Sequence, residues 1–146
     1  MKKMIFTLTL IVSMLGAISA QNSKQAIGIR FGYGAELSYQ NSLSKANRIE
    51  LDLGLNYGGV GLSGIYQWVW NLPSISKNLN WYAGAGANLG MYNSSVGIGI
   101  LGQIGVEYHF AKLPIMVSLD YRPGFYVLPS VDGSYDGICL SVRYKF

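Results

Sequence analysis

Residues 96–110 read VGIGILGQIGVEYHF, and their order decides the architecture. Val96, Ile98, Ile100, Gly102, Ile104, Val106, Tyr108 and Phe110 take every second place, and Gly97, Gly99, Leu101, Gln103, Gly105, Glu107 and His109 fill the others. A strand turns successive side chains to opposite faces, whereas a helix needs its apolar residues three and four apart. The stretch predicts a long β-strand with one apolar face and one face of glycine and polar groups.

The same alternation recurs on both sides of it. It runs through residues 27–33, 36–40, 48–57, 61–70 and 81–89 upstream, and through 115–122 and 138–146 downstream. The links between these stretches are rich in Gly, Asn, Ser and Pro, the residues that turn geometry selects. The longest link is Pro123 to Asp136. Eight strands joined in sequence suggest an antiparallel up-and-down meander, and eight suffice to close a barrel without an exposed edge.

Charge decides which face is inside. Ten charged residues fall within the strands: Arg30, Glu36, Arg48, Glu50, Asp52, Glu107, Asp120, Arg122, Arg143 and Lys145. All ten share the glycine-rich face, with five bases matched by five acids. The opposite face carries none, and its aromatics gather toward the strand ends: Tyr39, Trp68, Trp70, Trp81, Tyr108, Phe110, Tyr144 and Phe146 at one end, Phe31, Tyr33, Tyr57 and Tyr121 at the other. Aromatic girdles around an Ile/Leu/Val band are what the two interfaces of a bilayer select. The expected fold is all-β: an eight-stranded antiparallel transmembrane barrel with a plugged polar lumen. The competing arrangement is a soluble lipocalin-like carrier with the faces reversed, which would have to pack about a dozen large aromatics into an interior barely wide enough for side chains.

Composition agrees with a membrane-facing wall. Of 146 residues only 12% are charged, against about 25% in ordinary soluble domains. The formal net charge of +4 includes Lys2 and Lys3, which open an N-terminal export signal: a basic start, an apolar run from Met4 to Leu15, and small residues to Ala20. The apolar run is too short to anchor a helix in a bilayer. Cleavage is expected after Ala20, with Ser19 as the alternative, giving residues 1–20 as leader and 21–146 as barrel domain. The remaining 9 bases and 7 acids make nucleic acid an unsuitable partner.

On Ala26-Ile27-Gly28-Ile29-Arg30, Tyr66-Gln67-Trp68, Asn80-Trp81-Tyr82-Ala83-Gly84, Gly105-Val106-Glu107-Tyr108, the run from Ser118 to Pro123 and the ending from Leu140 to Phe146, the chain resembles the small eight-stranded outer-membrane β-barrel family, of the OmpX and OmpA transmembrane-domain type. The resemblance covers essentially all of the chain after the leader. It implies a place in the outer membrane of a Gram-negative bacterium, contact with outer-membrane lipid, and insertion by the barrel assembly machinery. Tyr144 and Phe146 match the terminal aromatic signal which that machinery reads; Ser141 and Cys139 depart from the usual pattern. The family includes structural, adhesive and enzymatic members, so the resemblance carries architecture further than function.

Chemical motifs are sparse. The ten lumen charges are expected to neutralise one another, because an unpaired buried charge costs several kcal/mol. His109, Glu107 and Ser118 have the residue types of a hydrolytic triad but would point into the lumen, away from lipid substrate. Cys139 is the only cysteine, inward-facing, and reads as a small filler. The glycines from Gly84 to Gly90 belong to a strand and lack the Lys-Ser/Thr of a phosphate loop. No metal or cofactor site is expected, and the expected role is non-enzymatic. A large-pore porin is disfavoured, since an aqueous channel takes about 16 strands. Two further sites are candidates: the link Pro123 to Asp136 for an extracellular ligand, and a lipid-face groove where Gly64, Ala83, Ala85, Ala87 and Gly102 would thin the wall.

Overall fold

Each of the eight alternating stretches becomes β-structure in the computed structural model of the protein, which describes residues 24–32, 34–56, 59–129, 131–134 and 137–146. The expected leader and its cleavage site lie outside the described residues, as do Tyr33, Tyr57, Tyr135 and Asp136. The strands are β1 (Gln25–Phe31), β2 (Ala35–Ser42), β3 (Asn47–Asn56), β4 (Gly59–Asn71), β5 (Leu79–Tyr92), β6 (Ser95–His109), β7 (Ile115–Tyr121), β8 (Gly124–Leu128), β9 (Asp132–Ser134) and β10 (Ile138–Lys145).

Strands β1 to β6 pair in sequence as antiparallel neighbours. β6 pairs with β7, β7 with β10, and β10 returns to β1, so the sheet closes on itself. β8 prolongs β7 along the same neighbour, β6, and β9 pairs with β8. The seventh barrel strand is therefore β7 with β8, the eighth is β9 with β10, and the barrel has eight.

This corrects the reading of Pro123 to Asp136 as a link between strands. Gly124–Leu128 and Asp132–Ser134, more than half of it, are strand. Proline cannot donate to a ladder, so a strand passing through Pro123 must be interrupted there. The interruption is local: Pro123 O accepts from Gly102 N at 2.9 Å, and Arg122 N donates to Gly137 O at 2.8 Å. Phe125 and Val127 then resume the outward positions.

Turn chemistry fits the links. Asn93 and Ser94 join β5 to β6 with φ of 45° and 65°, a left-handed pair that asparagine tolerates and a two-residue hairpin turn requires. Between β2 and β3 the Ser44 hydroxyl accepts from the backbone N–H groups of Ala46 and Asn47. Strand length is uneven around the ring: β1 and β2 have 7 and 8 residues, β4, β5 and β6 have 13, 14 and 15.

The faces sort as the charges require. Large apolar side chains, among them Leu37, Leu53, Leu89, Ile100, Leu119 and Leu140, stand exposed on the outer wall. The interior holds Arg30, Arg48, Glu50, Asp52, Glu107, Asp120, Arg122 and Arg143, all buried, with Ile65, Tyr82, Met116 and Cys139 between them. A lipocalin-like carrier has the opposite polarity. At the end of the barrel where β1 begins and β10 ends, Trp70 stacks on Trp81 with centroids 4.3 Å apart, Tyr66 meets Trp68 edge-on, and Tyr108 meets Phe110 likewise.

Candidate functional site

The lumen is organised about one carboxylate. Glu50, in the middle of β3, is fully buried and accepts six side-chain hydrogen bonds. Its Oε1 receives Arg30 Nη1 at 3.2 Å, Arg122 Nη2 at 2.8 Å and Gln103 Nε2 at 3.2 Å. Its Oε2 receives Arg143 Nη2 at 3.0 Å, Gln67 Nε2 at 3.1 Å and Gln40 Nε2. A carboxylate offers about four lone-pair sites, so several donors share. Charge-assisted bonds of this kind are roughly twice as strong as neutral ones, and a low-dielectric interior strengthens them further.

The other charges surround this centre. Asp120 takes Arg30 in a two-pronged pair, at 2.8 and 2.9 Å, and a third bond from Tyr82 Oη at 2.8 Å. Glu36 bridges Arg30 Nε at 3.1 Å and Arg122 Nη1 at 3.2 Å, and Arg122 also holds Asp52. Arg143 also donates through Nε to the Ser38 hydroxyl at 3.0 Å and through Nη1 to the Ser118 hydroxyl at 2.7 Å. Arg48 sits 2.6 Å from Glu107, donates to Gln67 and lies 4.8 Å above the Tyr82 ring, within cation–π range.

Nine of the ten predicted lumen charges thus fall into ion pairs with one another. The pairing is not one base to one acid, because Glu50 is shared by three guanidiniums and Arg30 and Arg122 each touch three carboxylates. Lys145 stands apart: its Nζ lies 3.2 Å from His109 Nδ1 at the terminal mouth. The three glutamines were not singled out by the sequence reading, which weighed charge and passed over Gln40, Gln67 and Gln103. Their signal was available, since all three are bulky amides at inward-facing positions of their strands.

His109 Nε2 is 2.9 Å from Glu107 Oε1, and Asn80 reaches both. Ser118, the third member of the triad pattern, is held by Arg143 instead. A nucleophile needs its base within hydrogen-bond reach, and this serine hydroxyl is engaged by a guanidinium. Among the described residues, no group of three or more His, Cys, Asp or Glu could hold a metal ion.

On the outer wall, Gly64 lies opposite Ala87 and Ala85 opposite Gly102, with Ala83 two residues along, so the five small residues form one patch across β4, β5 and β6. Two concavities of the wall are lined by other residues. One, of about 600 Å³, is formed by Val60, Leu62, Leu89, Met91 and Val96 among others; the second, of about 380 Å³, includes Trp81, Ile104, Leu119 and Ile138.

Removing Asp120 or Glu107 alone leaves a buried guanidinium with fewer acceptors. Asp120→Ala and Glu107→Ala are each expected to lower stability by about 3–5 kcal/mol. Urea titrations that superimpose on the parent would mean the lumen is solvated.

No family model matches the sequence, and neither does any curated protein. Among solved structures the chain is similar to Neisserial surface protein A (NspA), with a TM-score of 0.58 and 15% sequence identity, over 84% of this chain and 93% of that one. Closure by eight strands, a charged interior and an apolar exterior coincide with this likeness: the chain has the fold of the small eight-stranded outer-membrane β-barrels.

Proposed function

We propose that the chain is a non-enzymatic integral outer-membrane protein of a Gram-negative bacterium, exported by residues 1–20 and serving a structural or surface-interaction role. The inverted polarity of the barrel carries the reading. A soluble monomer rarely exposes an apolar patch beyond a few hundred Å², and here leucine, isoleucine and valine stand exposed on every one of the eight barrel strands. Such a wall is stable in lipid and insoluble in water. The Glu50-centred network fills the middle of the barrel, which supports a plugged lumen over a large-pore porin. Engagement of Ser118 by Arg143 supports a role other than lipid hydrolysis. If the protein meets a ligand outside the cell, the β8–β9 hairpin is its contact, with Val127, Leu128 and Val131 exposed near the tip.

Cell fractionation with heat-modifiable gel mobility tests this directly. The protein is expected in the outer-membrane fraction, running faster unboiled than boiled; recovery in the soluble periplasm would refute the reading. Planar-bilayer recordings are expected to show no large steady conductance, and the lipid A of a deletion strain is expected to be unchanged.

Assembly gives a further test. Phe146 N donates to Gln25 O at 2.9 Å and Gln25 N donates to Phe146 O at 3.3 Å, so the last residue completes the seam between first and last strands. Backbone groups left open in hydrocarbon are costly. Deleting Phe146 is expected to reduce the folded, heat-modifiable fraction strongly; wild-type amounts in the truncated strain would count against any role for Phe146 in assembly.

A further inference from the structure

The wall of the barrel is not equally tall all round. A strand tilted by about 45° needs about 9–11 residues to cross the hydrocarbon. β1 and β2 have 7 and 8, while β4, β5 and β6 have 13, 14 and 15. At about 3.3 Å per residue and that tilt, β1 rises roughly 16 Å and β6 roughly 35 Å, against an apolar band of about 25 Å. The outward apolar residues follow the same contour. β1 presents Ile29 and Phe31 as its exposed large residues, whereas β6 presents Val96, Ile98, Ile100, Ile104, Val106 and Tyr108.

A second observation sets the low side independently. Among the described residues β9 pairs with β8 alone: β1 ends at Phe31, opposite Leu140, and no described strand runs beside β9. Among the described residues the other edge of β9 has no ladder partner, and Asp132 of that strand is exposed. Lipid cannot satisfy open backbone groups or a carboxylate. Water or headgroups must reach down to this edge. Directly behind the low rim stands Glu36, the most exposed carboxylate of the ion pairs, with 21% of its side chain accessible where the others have at most 1%.

We propose that the β1–β2 face thins the bilayer locally, so that headgroups on both sides close in to the ends of β1 while β4, β5 and β6 contact membrane of full thickness. The occupant of this face is a compressed lipid annulus. This rests on the reading of the chain as a membrane-spanning barrel. Tilting the whole barrel cannot serve instead: it moves a short wall up or down in a bilayer of normal thickness, but one end of the wall then remains in hydrocarbon. Thinning keeps both ends wet.

Nitroxide labels placed one at a time at Gln25, Phe31 and Ile100, in a Cys139→Ser background, test this in vesicles of dioleoylphosphatidylcholine. Both Gln25 and Phe31 labels are expected to collide with an aqueous nickel complex several-fold more than the Ile100 label, which should favour oxygen. If either end of β1 proves as lipid-buried as Ile100, the inference is overturned, and burial of one end alone identifies tilt as the cause. The labels are read only on protein that floats with vesicles and resists protease. Failure to insert at all would refute the membrane reading and this inference with it, a result distinct from an inserted barrel with a buried Gln25 or Phe31.

Discussion

Glu50→Ala is expected to be among the most damaging single substitutions in this protein. It withdraws six acceptor contacts at once and leaves Arg30, Arg122 and Arg143 facing one another in a closed lumen. Breaking one buried ion pair costs about 3–5 kcal/mol, and here three cations lose the same partner, so the upper end of that range or complete failure to fold is the expectation. Glu50→Gln keeps the shape and some acceptor capacity while removing the charge, and should fall between Ala and the parent. Urea titration of the refolded barrel, read by gel mobility, gives the order. Parent-like midpoints for both variants would remove Glu50 from the centre of the lumen's energetics.

Gly28→Val is expected to prevent closure. A Cβ at Gly28 would lie 2.0 Å from Val142 O and 2.6 Å from Arg143 Cα, both on β10, the strand that seals the barrel against β1. These are backbone atoms and cannot swing aside. Overpacking a filled interior ordinarily costs about 1–3 kcal/mol; forcing the seam apart should exceed that, because the separated edges would open into lipid. Gly64→Ala is the control. Its Cβ would meet only Leu51 Cδ2, at 3.6 Å, on the outer wall, so parent-like folding is expected. Equal yields of folded protein for Gly28→Val and Gly64→Ala would show that the seam is loosely packed.

The architecture could be read from the chain because alternation is local. Each strand declares its two faces within ten residues, and the exclusion of charge from one of them decides inside from outside. Hairpin neighbours follow from order alone. What alternation cannot supply is height: which inward residues share a level depends on how the strands slide past one another as the barrel closes. Arg30 and Asp120 are 90 residues apart in sequence, and Arg143 and Glu50 are 93 apart. Their meeting is a property of the closed ring. For the same reason Lys145 could be assigned to the correct face but not to its actual neighbour, His109. The stretch from Pro123 to Asp136 was misread because Pro123, Gly124 and Gly133 carry turn chemistry, although Tyr121, Phe125 and Val127 keep their parity across the break. The leader expectation concerns residues outside those described.

The donors to Glu50 come from β1, β2, β4, β6, β10 and the Arg122 junction after β7, while Glu50 itself is on β3. Seven of the eight barrel strands therefore converge on one side chain, and the first and last of them are neighbours only once the ring is complete. A half-built sheet gains little from the cluster, because its carboxylate and its guanidiniums are still reaching for water from different edges. The attraction is released at the final pairing of β1 with β10. Folding of such a barrel should be all-or-none, with a single transition shared by every probe, and an open intermediate should keep its charged residues hydrated until the moment of closure.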